Sequence, residues 1–111
     1  MIKVDSTSKT IFEGIGKMID AMVTDYGKGN TNERMFNEYK DGFKSIVGQK
    51  FIKITNNNGV KAFVVKADGG RFKMGDILKP ASWRAPAKNS ARGNVLEGGY
   101  AIQWTGPLYL R

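Results

Sequence analysis

The apolar pattern of this chain changes period at Gly48, and that switch limits the available folds more than any other feature. Before it, apolar residues recur at helical spacing. After it, they come in short runs broken by turn residues, as strands do. Ile11, Ile15, Met18 and Met22, widened by Phe12, Ile19 and Val23, predict one helix over 7–25. Thr7 or Ser8 is placed to cap it, and Gly27 and Gly29 to end it. Gly14 and Gly16 lie inside the pattern, where each costs roughly 1 kcal/mol relative to alanine. They reflect either simple tolerance or the close approach of another backbone. Asn30 with Glu33 has the spacing of a capping box and announces a second helix. Its apolar face is Met35 or Phe36, Tyr39, Phe43 and Ile46, with Gly48 as the residue that stops it.

The second half predicts strands at 50–55 and 60–66, joined by a turn at 56–59 where Asn-Gly tolerates positive φ. A turn at 68–70 leads to short strands at 71–73 and 75–79. Further strands are predicted at 93–97, 100–104 and 108–110, with turns at 98–99 and 106–107. The expected fold is α+β: two N-terminal amphipathic helices, then a curled antiparallel sheet or small open β-barrel of about six short strands. With 111 residues the chain reads as a single domain over 1–111, helical over 7–47 and β over 49–111. So thin a core favours a homo-oligomer, a dimer or an assembly of dimers.

The chain has no cysteine and no histidine. This excludes disulfides, thiolate metal sites, thiol nucleophiles and serine–histidine triads, and removes the commonest general base near neutral pH. Carboxylates are sparse in the basic half, so neither a metal nor another cofactor is expected. No phosphate-loop or dinucleotide fingerprint is present. Net charge is +8, unevenly placed. Residues 1–50 hold eight basic and seven acidic side chains; residues 51–111 hold ten and three. A basic half suits an anionic partner, although solubility alone explains it equally well. No apolar stretch approaches the roughly 20 residues needed to cross a bilayer, and no targeting segment is visible, so a cytosolic protein without membrane contact is expected.

One segment fits neither period. Residues 80–91 carry two prolines and no regular pattern, and long irregular loops in small domains are usually functional or mobile. Six basic residues fall within 71–93 against the single acid Asp76. Trp83 offers a face on which a base can stack, Arg84, Lys88 and Arg92 offer phosphate contacts, and Asn94 offers an amide for a polar edge. The structural alternative is that Trp83 is a lid on the core and the cations a solvated face.

The run from Gly75 through Pro80-Ala81-Ser82-Trp83, continuing to Arg92-Gly93-Asn94 and closing with Gly106-Pro107-Leu108-Tyr109-Leu110-Arg111, resembles small bacteriophage proteins. It is most similar to the first-described family of Thoeris anti-defence proteins. The resemblance covers 75–111, about a third of the chain. It implies a sponge that holds a cyclic ADP-ribose derivative without degrading it, built from dimers, in the cytoplasm of an infected bacterial host. Some members also hold cyclic oligonucleotides at separate sites. By position it implies that Trp83, Asn94 and Arg111 contact the nucleotide. The spacing from Trp83 to Asn94 is one residue longer than the family pattern, through Asn89-Ser90.

Three functions follow from the residues. The first is sequestration of a cyclic nucleotide signal. The second is single-stranded nucleic-acid binding, which a basic β-rich half also suits. The third, enzymatic opening of a cyclic nucleotide, lacks an obvious base and ranks last.

Overall fold

Phe51 and Ile52 are neighbours in one strand, and Phe63, Val64 and Val65 in the next, so their sheet is apolar on both faces and needs two covers. The computed structural model describes residues 1–29, 32–57 and 59–108. The order is β1 (Ile2–Val4), α1 (Ile11–Gly29), α2 (Glu33–Asp41), β2 (Phe43–Val47), β3 (Phe51–Asn56), β4 (Gly59–Val65), β5 (Ile77–Leu78), β6 (Tyr100–Gln103) and β7 (Gly106–Pro107). The strands form two antiparallel sheets, neither closed: β1-β6-β7 and β2-β3-β4-β5. The protein is therefore α+β, but the single curled sheet or barrel is replaced by two sheets.

Opposed residues of an antiparallel pair share a face. Ile52 opposes Val64 and Ile54 opposes Ala62; these, with Ile77, face the main core. There they meet Ile15, Met18 and Met22 of α1, together with Val4 and Ile102 of the other sheet. The other phase, in which Phe51 opposes Val65 and Lys53 opposes Phe63, makes a second face. Phe63, Val65 and Leu78 are buried there against Phe51, Val60, Phe72 and Ala91.

Several local expectations are corrected by tertiary pairing. The first helix starts later than expected: Glu13 N–H donates to Thr10 Oγ1 at 3.1 Å, so Thr10 caps it in place of Thr7 or Ser8. Asn32 caps α2, its Oδ1 accepting from Met35 N–H at 3.0 Å; Asn30 lies outside the described residues. The second helix stops at Gly42, whose N–H reaches Tyr39 O. Phe43 and Ile46, expected on its apolar face, lie in β2, which pairs with β3 from Phe43↔Asn56 to Val47↔Ile52. Their three-residue spacing fits one face of a helix but opposite faces of a strand, and pairing with the edge of β3 decides against the helix. Residues 71–73 form only a bridge, Gly69↔Phe72, around a tight turn, and 93–97 form a turn in place of a strand. Gly106–Pro107, expected as a turn, pairs as β7 with Gln103 and Ile102. The three-residue β1 was not expected, and most of the expected strand at 108–110 lies outside the described residues.

Tyr39 fastens four segments. It is buried and stacks on Tyr26 of α1, with ring centres 4.2 Å apart. Its hydroxyl donates to Trp104 O at 2.6 Å, and its own carbonyl accepts from Asn56 Nδ2 at 2.7 Å. Burial, then the nearby Asp25 carboxylate, raises its hydroxyl pKa well above the ordinary tyrosine value. Beside it, β4 bulges where Ala62 opposes Ile54 but Val60 opposes Thr55, leaving Lys61 as the extra residue. The bulge brings the Lys61 ammonium to 5.8 Å from the Tyr39 ring centre and 5.5 Å from that of Trp104. Burial lowers the Lys61 pKa.

The two helix glycines separate cleanly. A Cβ on Gly14 would lie 2.3 Å from the Val95 carbonyl oxygen, so glycine lets α1 touch the backbone of the loop before β6. A Cβ on Gly16 would meet nothing within 4 Å. Gly14→Ala is expected to destabilise by about 1–3 kcal/mol despite alanine's helix preference. Gly16→Ala should stabilise by up to about 1 kcal/mol. Urea denaturation of the pair checks this, and shifts of the same sign would contradict the Val95 contact.

Candidate functional site

The second sheet face is roofed by the excursion between β4 and β6, where most of the predicted site residues lie. Its floor is set by Asn94. This residue is buried, and both sides of its amide are engaged. Nδ2 donates to Met74 O and Asp76 Oδ1, each at 3.0 Å, and Oδ1 accepts from Leu96 N–H at 2.8 Å and Glu97 N–H at 3.1 Å. Asp76 is buried too, and its second oxygen accepts from Lys73 N–H at 3.0 Å. The amide expected to read a ligand edge instead ties two turns together.

Arg92 and Arg71 hold the loop above. Arg92 donates to Leu108 O at 3.0 Å and to Asn89 Oδ1 at 3.1 Å. Arg71 donates to Lys88 O at 3.1 Å and Asn89 O at 2.7 Å. Two guanidinium groups thus grip one short stretch and fix where Lys88 leaves the backbone. Burial, and after it the Arg92 charge, lowers the pKa of Lys79.

Lys88 is exposed, its ammonium 5.8 Å from the Phe51 ring centre. It overhangs a groove of about 600 Å³ between the β2–β3 turn and the 67–72 turn. Phe51 and Phe72 provide the aromatic surface, Lys50, Arg71 and Lys88 the basic rim, and Gly69-Gly70 the lip. Asp68 also lines it, one oxygen occupied by Met74 N–H at 2.7 Å. The size suits a compact organic ligand. An aromatic surface with unneutralised cations around it suits a base or other planar ring carrying phosphate.

Trp83 and Arg84 stand apart from the groove at the tip of a tight turn. Trp83 is 49 % exposed, which is not the burial of a core lid. It borders a separate shelf of about 380 Å³ with Val60, Pro80, Ala81 and Ser82. Arg84 is exposed, and Arg111 lies outside the described residues. Of the five predicted site residues among the described ones, only Lys88 lines the groove. Phe51, Phe72, Lys50 and Arg71 were missed as site residues. Their signal was the apolar doubling in β3 and β4, which demands a second cover and so draws the 67–72 turn over Phe51.

Among the described residues, no three carboxylates converge to hold a metal ion. No helix there is long and apolar enough to cross a membrane. Asn94→Ala should remove four hydrogen bonds and leave buried partners unpaired, at a cost of about 2–3 kcal/mol. Trp83→Ala should cost less than about 1 kcal/mol. Thermal melts of both variants read the difference, and an unchanged melt for Asn94→Ala would contradict its structural role.

No curated protein and no solved structure matches the chain. Residues 3–110 match a family of unknown function, DUF7717, and the chain belongs to that family.

Proposed function

We propose that this protein binds and sequesters a nucleotide in the groove beneath Lys88, without converting it. One observation carries the reading. Two phenylalanine rings and three basic side chains converge on a cavity of nucleotide size, with Asp68 as the single carboxylate lining it among the described residues. A ring packs on Phe51 and Phe72, and phosphate oxygens meet Lys50, Arg71 and Lys88. The absence of histidine and cysteine leaves the groove well supplied with binding groups and poor in groups that transfer protons near neutral pH. The resemblance of residues 75–111 to phage sponges narrows the ligand to a compact cyclic nucleotide of the ADP-ribose type, held in the cytoplasm of an infected host. On this reading Asn94 and Arg92 support the site from behind, and Arg84 is not required in it.

Lys88→Ala is expected to weaken nucleotide binding by about 1.5–3 kcal/mol, the worth of a charge-assisted contact, with little change in melting temperature. Calorimetry with a panel of cyclic and linear nucleotides measures this, followed by denaturation and recovery of the ligand. Intact ligand supports sequestration; a linearised product would establish an enzyme. Unchanged affinity in Lys88→Ala would remove the groove from consideration.

A single-strand reading is favoured by the charge of +8. It requires affinity that rises with oligonucleotide length and falls steeply with salt, because each neutralised phosphate releases counterions. An enclosed nucleotide with one or two phosphates gives a shallow slope.

The reading also includes self-association. In the four-stranded sheet β2 lies at an edge with β3 as its neighbour, and Ile46 and Val47 on it are exposed. Such an edge readily pairs with another strand. Light scattering at micromolar concentration should give the mass of a dimer or larger assembly; a monomer mass would contradict it.

A further inference from the structure

The shelf at Trp83 is built, and the groove does not account for it. The turn that carries the indole is closed by several bonds. Ala81 and Ser82 N–H both donate to Ala85 O, at 3.0 and 3.1 Å. Ser82 Oγ accepts from Arg84 and Ala85 N–H at 3.2 Å each. Pro80 and Pro86 pair across its base. Proline and a closed turn leave the indole little backbone freedom, so a ring that stacks on it loses less entropy than on a mobile loop.

The shelf and the groove share one sheet face. Phe51 in the groove meets Phe63 edge-on, with ring centres 6.0 Å apart. The Lys53 ammonium, which shares that face, lies 5.9 Å from the Phe63 ring centre and 4.7 Å from that of Trp83. The two ring-binding surfaces are therefore linked through Phe63 and Lys53, and Lys88 stands over the Phe51 end. No ion pair among the described residues uses Lys53 or Lys88.

We propose that these surfaces also take a dinucleotide: one base in the Phe51–Phe72 groove, the second on Trp83, and the bridging phosphate between them beside Lys53. The inference rests on the groove reading above and adds the second base and its platform. Lys53 already occupies one side of the indole, so the second base takes the exposed side, and the cation beneath strengthens the stack.

The test compares adenosine monophosphate, the dinucleotide ApA, and oligoadenylates of four, eight and twelve residues, by calorimetry at one salt concentration. ApA should bind about tenfold or more tightly than the monophosphate, the increment expected of one added base stack. Affinity should then stay level with length. In Trp83→Ala the ratio of the two affinities should fall to near one, whereas Trp104→Phe, away from both surfaces, should keep it. Equal affinities of ApA and the monophosphate in the unaltered protein would overturn the inference and leave the groove reading standing. So would a Trp83→Ala variant that keeps the ratio, or affinity that climbs with each added residue. Binding of neither probe would also overturn the inference, while the groove reading is decided separately by the cyclic-nucleotide panel with Lys88→Ala.

Discussion

A β-sheet that is apolar on both faces cannot stand in water, and everything else in this molecule answers that constraint. Ile52, Ile54, Ala62 and Val64 point one way from β3 and β4, and Phe51, Phe63 and Val65 the other. The first face is covered by regular structure, α1 and the β1-β6-β7 sheet. The second has no helix to cover it. The excursion between β4 and β6 does the work, and it closes the face incompletely. The groove lies where the cover ends, which is why its surface is aromatic: Phe51 and Phe72 belong to the second core and are left partly bare.

An irregular cover needs fixed points, and this one has polar ones. Asn94 and Asp76 fasten its base from within, and Arg71 and Arg92 grip the 88–89 stretch from outside. A buried amide with all its partners satisfied orders a loop strongly, because losing any partner leaves a desolvated polar group behind. The consequence for binding is preorganisation. Lys88 and Trp83 project from backbone that is already held, so a ligand need not order the loop to reach them. Lys50, Arg71 and Lys88 line the groove with Asp68 as the one carboxylate among the described lining residues, so an anion there meets an excess of positive charge.

Separating holding residues from contacting residues changes how the basic stretch is understood. Arg92 and Asn94 share the residue types of a nucleotide site, but the Asn94 amide is spent on Met74, Asp76 and two backbone N–H groups, and the terminal nitrogens of Arg92 on Leu108 and Asn89. Lys88 and Lys50 line the cavity, and Arg71 does both, lining it while its two terminal nitrogens donate to Lys88 O and Asn89 O. Composition alone cannot make that distinction, because an arginine that binds a carbonyl and one that binds a phosphate are the same letter.

The sequence by itself determined the α+β class, the first helix and its buried stripe, the hairpin at 51–65, and the peculiarity of the segment around Trp83. These are local: periodicity, caps and turn residues act over a few positions and read directly from the chain. It also held the doubling of apolar residues in β3 and β4, from which a covered second face follows. Tertiary structure alone decided the rest. Phe43–Val47 is a strand because the edge of β3 accepts it, and Ile2–Val4 is a strand because β6 does. Gly106 of β7 comes close to the Lys61 carbonyl at the β4 bulge, yet the two strands lie in different sheets. The groove joins residue 50 to residues 71 and 88, positions whose proximity no short-range preference encodes. Strand pairing and side-chain satisfaction are long-range and exclusive: each donor and each edge can be used once, and only the folded chain shows which partner took it.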